Sequence, residues 1–438
     1  MSTHSFIQTT GEIMKQTKTD YFFTILFLLI SAKASFLYEF DVFWFVFSFS
    51  YLSYGLYKKR IYETDLYFFV GFAGIFLGYI LFRDLFFNKL GISYLLSDVF
   101  FLLKFIFLAY IFCVVTKKNA TYLISKVIIQ FAKISLVLYL FQLVGGGEIL
   151  YAIGKTFHNN ILPYSGISDT YSNFLIFTYD KVHAIRNSGF LWEPGAYGCF
   201  LIIALLFYFM NNHFSIDRNV IIVIIAIITT LSTTAYLALA VLMLLYYRYN
   251  GGIINLKMIL FFIFGILLFT FLPFLGDKIG ATYESDLKIL DDYDEINNQL
   301  EYYSEYGGEV KLNRFSSIVF LYRDFGCQLM FGISNAYVKL KSSVYGVEIS
   351  KFNISNGIID FIVKFGLIGF IFSLFRIGQF IYLHYNKFEF SFYIILMILI
   401  MNFGSPIFIL PITLIFLFLS RFSMIEDEFE ENEETEEI

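Results

Sequence analysis

The stretch Val220–Tyr247, VIIVIIAIITTLSTTAYLALAVLMLLYY, runs for 28 residues without a charged side chain. A helix needs only ~20 apolar residues to cross a bilayer, so this run is too long for one span and far too apolar for a soluble loop. Its centre, Thr229-Thr230-Leu231-Ser232-Thr233-Thr234, supplies hydroxyls that can satisfy the backbone groups freed where a helix breaks. The run therefore divides into two membrane segments, 219–233 and 234–247. The same reading extends to the rest of the chain.

Of the 438 residues, 58% are hydrophobic, 21% are aromatic and 15% are charged. Soluble domains typically carry ~25% charged residues. Single soluble cores stop growing near ~250–300 residues, so a chain of this length and apolarity needs lipid as a solvent. A soluble enzyme, a nucleic-acid binder and a disordered protein are excluded. Twelve apolar segments emerge, at about 21–37, 39–56, 66–82, 95–115, 122–143, 191–210, 219–233, 234–247, 258–275, 357–380, 389–402 and 407–421. The expected fold is an all-α polytopic membrane protein of about 12 transmembrane helices. Met1–Asp20 is polar and precedes an apolar run long enough to span, so no cleavable signal peptide is expected.

Charge fixes the orientation. Lys15, Lys18, Lys58-Lys59-Arg60, Lys117-Lys118, Arg218, Arg248, Lys257, Arg376, Lys387 and Arg421 fall in alternate short connections, whereas the other short connections offer only Lys33, Arg83 and Lys89. The positive-inside rule then places both termini in the cytoplasm. Residues 1–20 form a cytoplasmic N-terminus, 21–421 the membrane domain and 422–438 an acidic, disordered cytoplasmic tail. The formal charge is −5, but the last 13 residues hold nine acids, leaving the remainder at +4. Cys113, Cys199 and Cys327 have neither metal spacing nor a disulfide framework.

On this topology two large loops, 144–190 and 276–356, share the outer face. The first opens with Gly145-Gly146-Gly147 and carries Ile161-Leu162-Pro163-Tyr164 and Phe174-Leu175-Ile176-Phe177, apolar groups suited to docking on the membrane domain. The second begins with acids (Asp291, Asp292, Asp294, Glu295) and continues at Leu312–Met330, where Phe315, Val319 and Tyr322 recur at helical spacing. An amphipathic helix is expected there. The acids are read as solvated, with no metal.

The densest chemical signal is Arg186-Asn187-Ser188-Gly189-Phe190-Leu191-Trp192-Glu193-Pro194-Gly195-Ala196-Tyr197. Glu193 and Pro194 suit the first turn of a helix, and Trp192 suits the interfacial belt. Arg186 is left over from that account, as a cation whose natural partner outside is an anion. A second outer arginine lies in Asn313-Arg314-Phe315-Ser316-Ser317, with Arg323-Asp324 further on. Two guanidinium groups on separate loops can converge on one diphosphate through bidentate, charge-assisted hydrogen bonds. Within the spans, Asp360 and Lys364 stand four apart and are expected to pair. Lys104 and Lys133 have no obvious partner; pairing with Asp98, pairing with a lipid phosphate and support of a transport pathway are the choices for them, structural pairing being preferred.

At Arg186, Gly189, Glu193 and Pro194 the chain resembles the O-antigen polymerase family, within the O-antigen ligase and polymerase superfamily of membrane glycosyltransferases. The resemblance extends to the Thr/Ser break at 229–234, to Arg314 and to Ser355-Asn356-Gly357 ahead of a span containing Gly366 and Gly369. It implies polymerisation of oligosaccharide repeat units carried on undecaprenyl diphosphate into O-antigen or capsule, on the outer face of the bacterial cytoplasmic membrane. Such an enzyme is metal-independent and needs no cofactor. Its donor and acceptor are both undecaprenyl-diphosphate-linked glycans, and a chain-length regulator, a flippase and membrane lipids are the implied partners; nucleic acid is not. Arg186 and Arg314 would hold the leaving diphosphate, with Arg323 as a third cation. Glu193 would be the base, with Asp324 in reserve. The alternatives are an O-antigen ligase, which typically carries a histidine in the last large outer loop where this chain has none, and a secondary transporter using Lys104, Lys133 and Asp360.

Overall fold

The computed structural model describes residues 17–88, 90–160, 171–251, 290, 293–306 and 308–422. The ninth apolar segment (258–275), the Ile161–Tyr164 apolar group, Asp291-Asp292 and the acidic tail beyond 422 lie outside the described residues. The fold is all-α, with two two-stranded ribbons as its only sheets among the described residues.

Helices begin with α1 (Lys18–Ser31), α2 (Asp41–Tyr57) and α3 (Glu63–Arg83). They continue through α4 (Ile92–Phe101), α5 (Phe107–Thr116), α6 (Ala120–Phe141) and α7 (Gly147–Asn160). After a hairpin of β1 (Tyr171–Asn173) and β2 (Thr178–Asp180) come α8 (Pro194–Asn211), α9 (Arg218–Thr229) and α10 (Thr233–Tyr249). The second long connection contributes α11 (Tyr293–Tyr306), β3 (Val310–Lys311), α12 (Arg314–Phe325) and β4 (Phe352–Asn353), the two strands pairing in parallel. The chain finishes with α13 (Gly357–Tyr385), α14 (Phe388–Gly404), α15 (Pro411–Leu414) and α16 (Phe416–Phe422).

Among the described residues four helical stretches are long and apolar enough to cross a membrane: Glu63–Asn88, Ile92–Thr156 (bent at Lys117, φ +45°), Pro194–Asn211 and Gly357–Tyr385. Their burial differs in a way that shows the architecture. Only 11% of the apolar window of Glu63–Asn88 is buried, whereas 83% of that of α8 is. A helix apolar on every side belongs at the centre of a bundle. Helices α6, α9, α10 and α14 pack around α8. Val70, Ile75, Ile371 and Phe375 on α3 and α13 stay exposed, the outward apolar surface of a membrane protein.

Contacts between connections sort into two ends. At one end Asp20 grips Arg60, Tyr208 bonds to Asp217, and Arg248 forms a bidentate pair with Glu389. At the other end meet the turn after α1, the end of α3, the Arg186–Glu193 segment, the α9–α10 break, α12 and the α14–α15 connection.

Several expectations need correction. α1 ends at Ser31 rather than near 37, because the chain turns at Lys33, whose φ of +53° cannot continue a right-handed helix. Lys104 pairs with Asp41 (2.7 Å) and lies over Trp44, while Asp98 takes Arg83 (2.5 Å) with both side chains fully buried. The buried face of α12 is Ser316, Ser317, Phe320 and Leu321; Tyr322 is exposed, so the Phe315–Val319–Tyr322 stripe is not the packed face. The second long connection also builds a small core of its own, with Val310, Phe320, Tyr337 and Phe352 packed on Ile359 and Val363 of α13. Asp360 and Lys364 pair at 2.7 Å, as their spacing predicts.

Candidate functional site

The site lies at the N-terminus of the central helix. Phe190, Leu191 and Asn187 are buried, so the segment before α8 is anchored rather than loose. Asn187 holds it: its backbone N–H donates to Thr229 O (3.0 Å), its Nδ2 to Thr229 Oγ1 (3.0 Å), and its Oδ1 accepts from Gly189 N (2.9 Å). Gly189 adopts φ +52°, and a Cβ there would strike the Tyr197 ring at 2.4 Å. Only glycine fits that position. The hydroxyls at the α9–α10 break serve the backbone as expected: Thr229 and Thr230 donate to the carbonyls of Ala226 and Ile227, and Ser232 accepts from Ala235 N.

Breaking the helix at Thr230 frees its carbonyl, and Arg186 Nε donates to it (3.0 Å). Arg314, the first residue of α12, donates from Nη2 to Gly404 O (3.2 Å) at the end of α14. The Ser355-Asn356-Gly357 motif sets this junction. Asn356 Oδ1 caps α13 at Ile358 N and Ile359 N, and its Nδ2 donates to Arg314 O (3.1 Å). Gly357 lets the α14–α15 connection approach, since a Cβ would lie 2.8 Å from Ser405 O.

Glu193 stands between these arginines. Its backbone occupies the N-cap of α8, but its side chain makes no cap hydrogen bond. Instead Oε1 accepts from Ser405 Oγ (2.6 Å). The capping role that competes with a chemical one is therefore not taken up. Glu193 is the leading electrostatic partner of both Arg186 and Arg314, and the two arginines also feel one another. Burial lowers the pKa of each guanidinium, an effect that Glu193 opposes. Yet Arg314 is exposed and Arg186 half-exposed. Solvent-accessible surface combined with desolvation describes the wall of a recess. Neither arginine forms an ion pair with a carboxylate among the described residues, so guanidinium edges remain for an anion.

Arg323 is not part of this recess. Nine residues beyond Arg314, it leaves the opposite side of α12 and donates to Leu290 O (3.3 Å). Asp324 is committed to the loop, where Oδ1 accepts from Ser342 Oγ, Ser343 N, Ser343 Oγ and Val344 N. Its Oδ2 is buried and makes no hydrogen bond among the described residues. Sequence reasoning missed Ser405 and Ser232, whose hydroxyls converge near Gly195 beside Glu193. The only sequence sign of Ser405 is its place between Gly404 and Pro406 in a short connection without basic residues. An apolar cleft of about 310 Å³ runs along α13, lined by Phe72, Phe76, Tyr79, Phe361, Phe365 and Phe372 and by none of the residues of the site.

No family model, curated protein or solved structure matches the chain.

Proposed function

We propose that the chain is a metal-independent membrane glycosyltransferase that polymerises undecaprenyl-diphosphate-linked oligosaccharide repeat units into surface polysaccharide. The observation that carries this reading is the placement of Arg186 and Arg314, from separate connections, around one carboxylate while neither is neutralised by an ion pair. The twelve-span topology, with both termini cytoplasmic and this recess on the outer face of the bacterial cytoplasmic membrane, belongs to the same proposal. Its support is that the basic connections gather at the opposite end of the bundle.

The chemistry follows from the residues. A hydroxyl of the acceptor unit attacks the anomeric carbon of the donor chain, and the bond from that carbon to the diphosphate oxygen breaks. Glu193 takes the hydroxyl proton, its Oε1 being held by Ser405 and its Oε2 unbonded among the described residues. Negative charge builds on the departing diphosphate, which Arg186 and Arg314 stabilise more strongly in the transition state than before it. Undecaprenyl diphosphate leaves, and part of a prenyl chain fits the apolar cleft along α13. The transporter alternative loses ground because Lys104 and Asp360 are each closed by a salt bridge.

The test is deletion of the gene followed by analysis of the surface glycan. Caps of a single repeat unit support polymerisation. Full-length polymer left on its lipid carrier supports the ligase alternative, and unchanged glycan removes both.

A further inference from the structure

Lys33 is the one lysine of the site that the arginine chemistry does not use. On the membrane helices Lys104 is closed off by Asp41, Lys364 by Asp360 and the exposed Lys126 by the Tyr122 hydroxyl, while Lys133 stands apart on α6. Lys33 has no hydrogen bond or ion pair to any of the described residues, although its backbone is held firmly. Ala32, Ala34 and Ser35 around it are buried, and it adopts φ +53°, a left-handed conformation uncommon outside glycine. Lys33 is exposed overall, although its surroundings desolvate the ammonium group, which sits 5.7 Å from the centroid of the half-buried Trp192 ring, within cation–π range.

Its electrostatic neighbours are Lys364, Asp360 and Glu193. Neither Arg186 nor Arg314 is among them, and the neighbours of Arg314 are Glu193 and Cys199. Glu193 is thus an electrostatic neighbour both of Lys33 and of the arginine pair. The Asp360–Lys364 pair cancels itself, so Lys33 leaves one uncompensated positive charge on its side. On the other side stand two arginines.

We propose that Lys33 and Trp192 form a second anion subsite, across Glu193 from the arginine pair, that receives an oxyanion of the acceptor substrate while its sugar or carrier packs on the indole. The identity of the ligand as an acceptor rests on the polymerase reading; the subsite itself does not. The oxyanion has two sources, the carboxylate of an acidic sugar in the repeat unit or the phosphate of the acceptor's lipid carrier. Both present the same chemistry to an ammonium beside an aromatic face. Placed there, the acceptor brings its hydroxyl to the free side of Glu193 while the donor's diphosphate stays with the arginines.

The protein has two tryptophans, and Trp44 is fully buried against Lys104, so Trp192 emission can report on this subsite. Full-length protein in lipid nanodiscs is titrated with sodium glucuronate, geranyl diphosphate and, as a neutral control, glucose, with Trp192→Phe defining the background. A response to either anion is expected, weakened roughly tenfold or more in Lys33→Gln, the worth of one charge-assisted hydrogen bond. It should be restored by Lys33→Arg and retained in Arg186→Ala. Glucuronate binding assigns the subsite to an acidic sugar, and a response confined to geranyl diphosphate assigns it to the carrier. The subsite is overturned if neither anion alters Trp192 emission, if Lys33→Gln responds as the wild type does, or if Arg186→Ala alone abolishes the response. Inorganic pyrophosphate binding measured calorimetrically in Lys33→Gln checks that the arginine side is still folded. Unchanged glycan on gene deletion would remove the polymerase reading and leave a Lys33-dependent anion response standing, so the two failures are separable.

Discussion

Arg83 and Arg186 lie at the same end of the bundle and are used in opposite ways. Arg83 is completely buried and spends every nitrogen: Nε on Asp84 (3.0 Å), Nη1 on Lys364 O (3.0 Å) and Nη2 on Asp98 (2.5 Å). Asp98 is consumed as well, since its other oxygen accepts from Asn335 N and Nδ2, both at 2.8 Å. That knot fastens the second long connection to α3, α4 and α13. Arg186 and Arg314 instead each bond a single backbone carbonyl, which orients a guanidinium without cancelling its charge. The difference separates a cation that builds the fold from one held ready for a ligand. The charge of the partner distinguishes them: Arg83 meets two carboxylates, whereas Arg186 and Arg314 each meet a neutral carbonyl.

The comparison breaks first at the recess. Arg186→Ala or Arg314→Ala should reduce chain growth about a hundred- to a thousand-fold, the usual cost of removing one preorganised donor, while protein in the membrane is unchanged. Chain length by gel electrophoresis and immunoblots of membranes check both halves. Lysine replacements should recover little, because a point charge lacks the fork geometry. At the knot the opposite pattern is expected. Asp98→Ala strands a buried guanidinium and should cost about 3–5 kcal/mol of stability, read as lost yield and a lower Tm. An Arg83→Met, Asp98→Leu double variant should regain much of that loss, which no substitution of Arg186 would do for activity. Ser405→Ala is a finer cut. It removes the one hydrogen bond that the Glu193 side chain makes among the described residues and should lower turnover roughly tenfold with Tm unaffected.

The smallest effect concerns the far end. Burial would raise the pKa of Asp20, but hydrogen bonds from Arg60 and Thr17 outweigh it and hold the carboxyl below its ordinary value of 3.8. A carboxylate whose pKa is depressed by folding stabilises the fold above that ordinary value, and the contribution fades as pH falls below it. Thermal unfolding between pH 6 and pH 3 should show a loss that Asp20→Asn, already without the contribution, lacks.

How much of this could be read from the chain depends on distance along it. Arg186, Asn187, Gly189 and Glu193 fall within eight residues, so their joint placement ahead of α8 was legible, as was the Thr229–Thr234 break that receives them. The apolar helices were legible because lipid imposes a long apolar run regardless of neighbours. Partners across the bundle were not. Nothing local to Lys104 points to Asp41, 63 residues away, or to Ser405 as the hydroxyl on Glu193, 212 residues away. The register of α12 misled for a related reason. Its buried face carries two serines whose place inside is secured by the Asn313 carbonyl, which both hydroxyls reach, so hydrophobic periodicity picked the wrong side.

Gly332 and Gly366 meet backbone to backbone, both at positive φ (+77° and +76°), and a Cβ on the first would lie 2.3 Å from the amide nitrogen of the second. Tyr79 bridges the same joint, donating to Phe331 O and Phe365 O. The second long connection is thus welded to the helical body at a seam one peptide thick. Any side chain added there acts as a wedge under the platform that carries Arg314, so a substitution far from Glu193 can tip one of the two guanidinium arms away from the other.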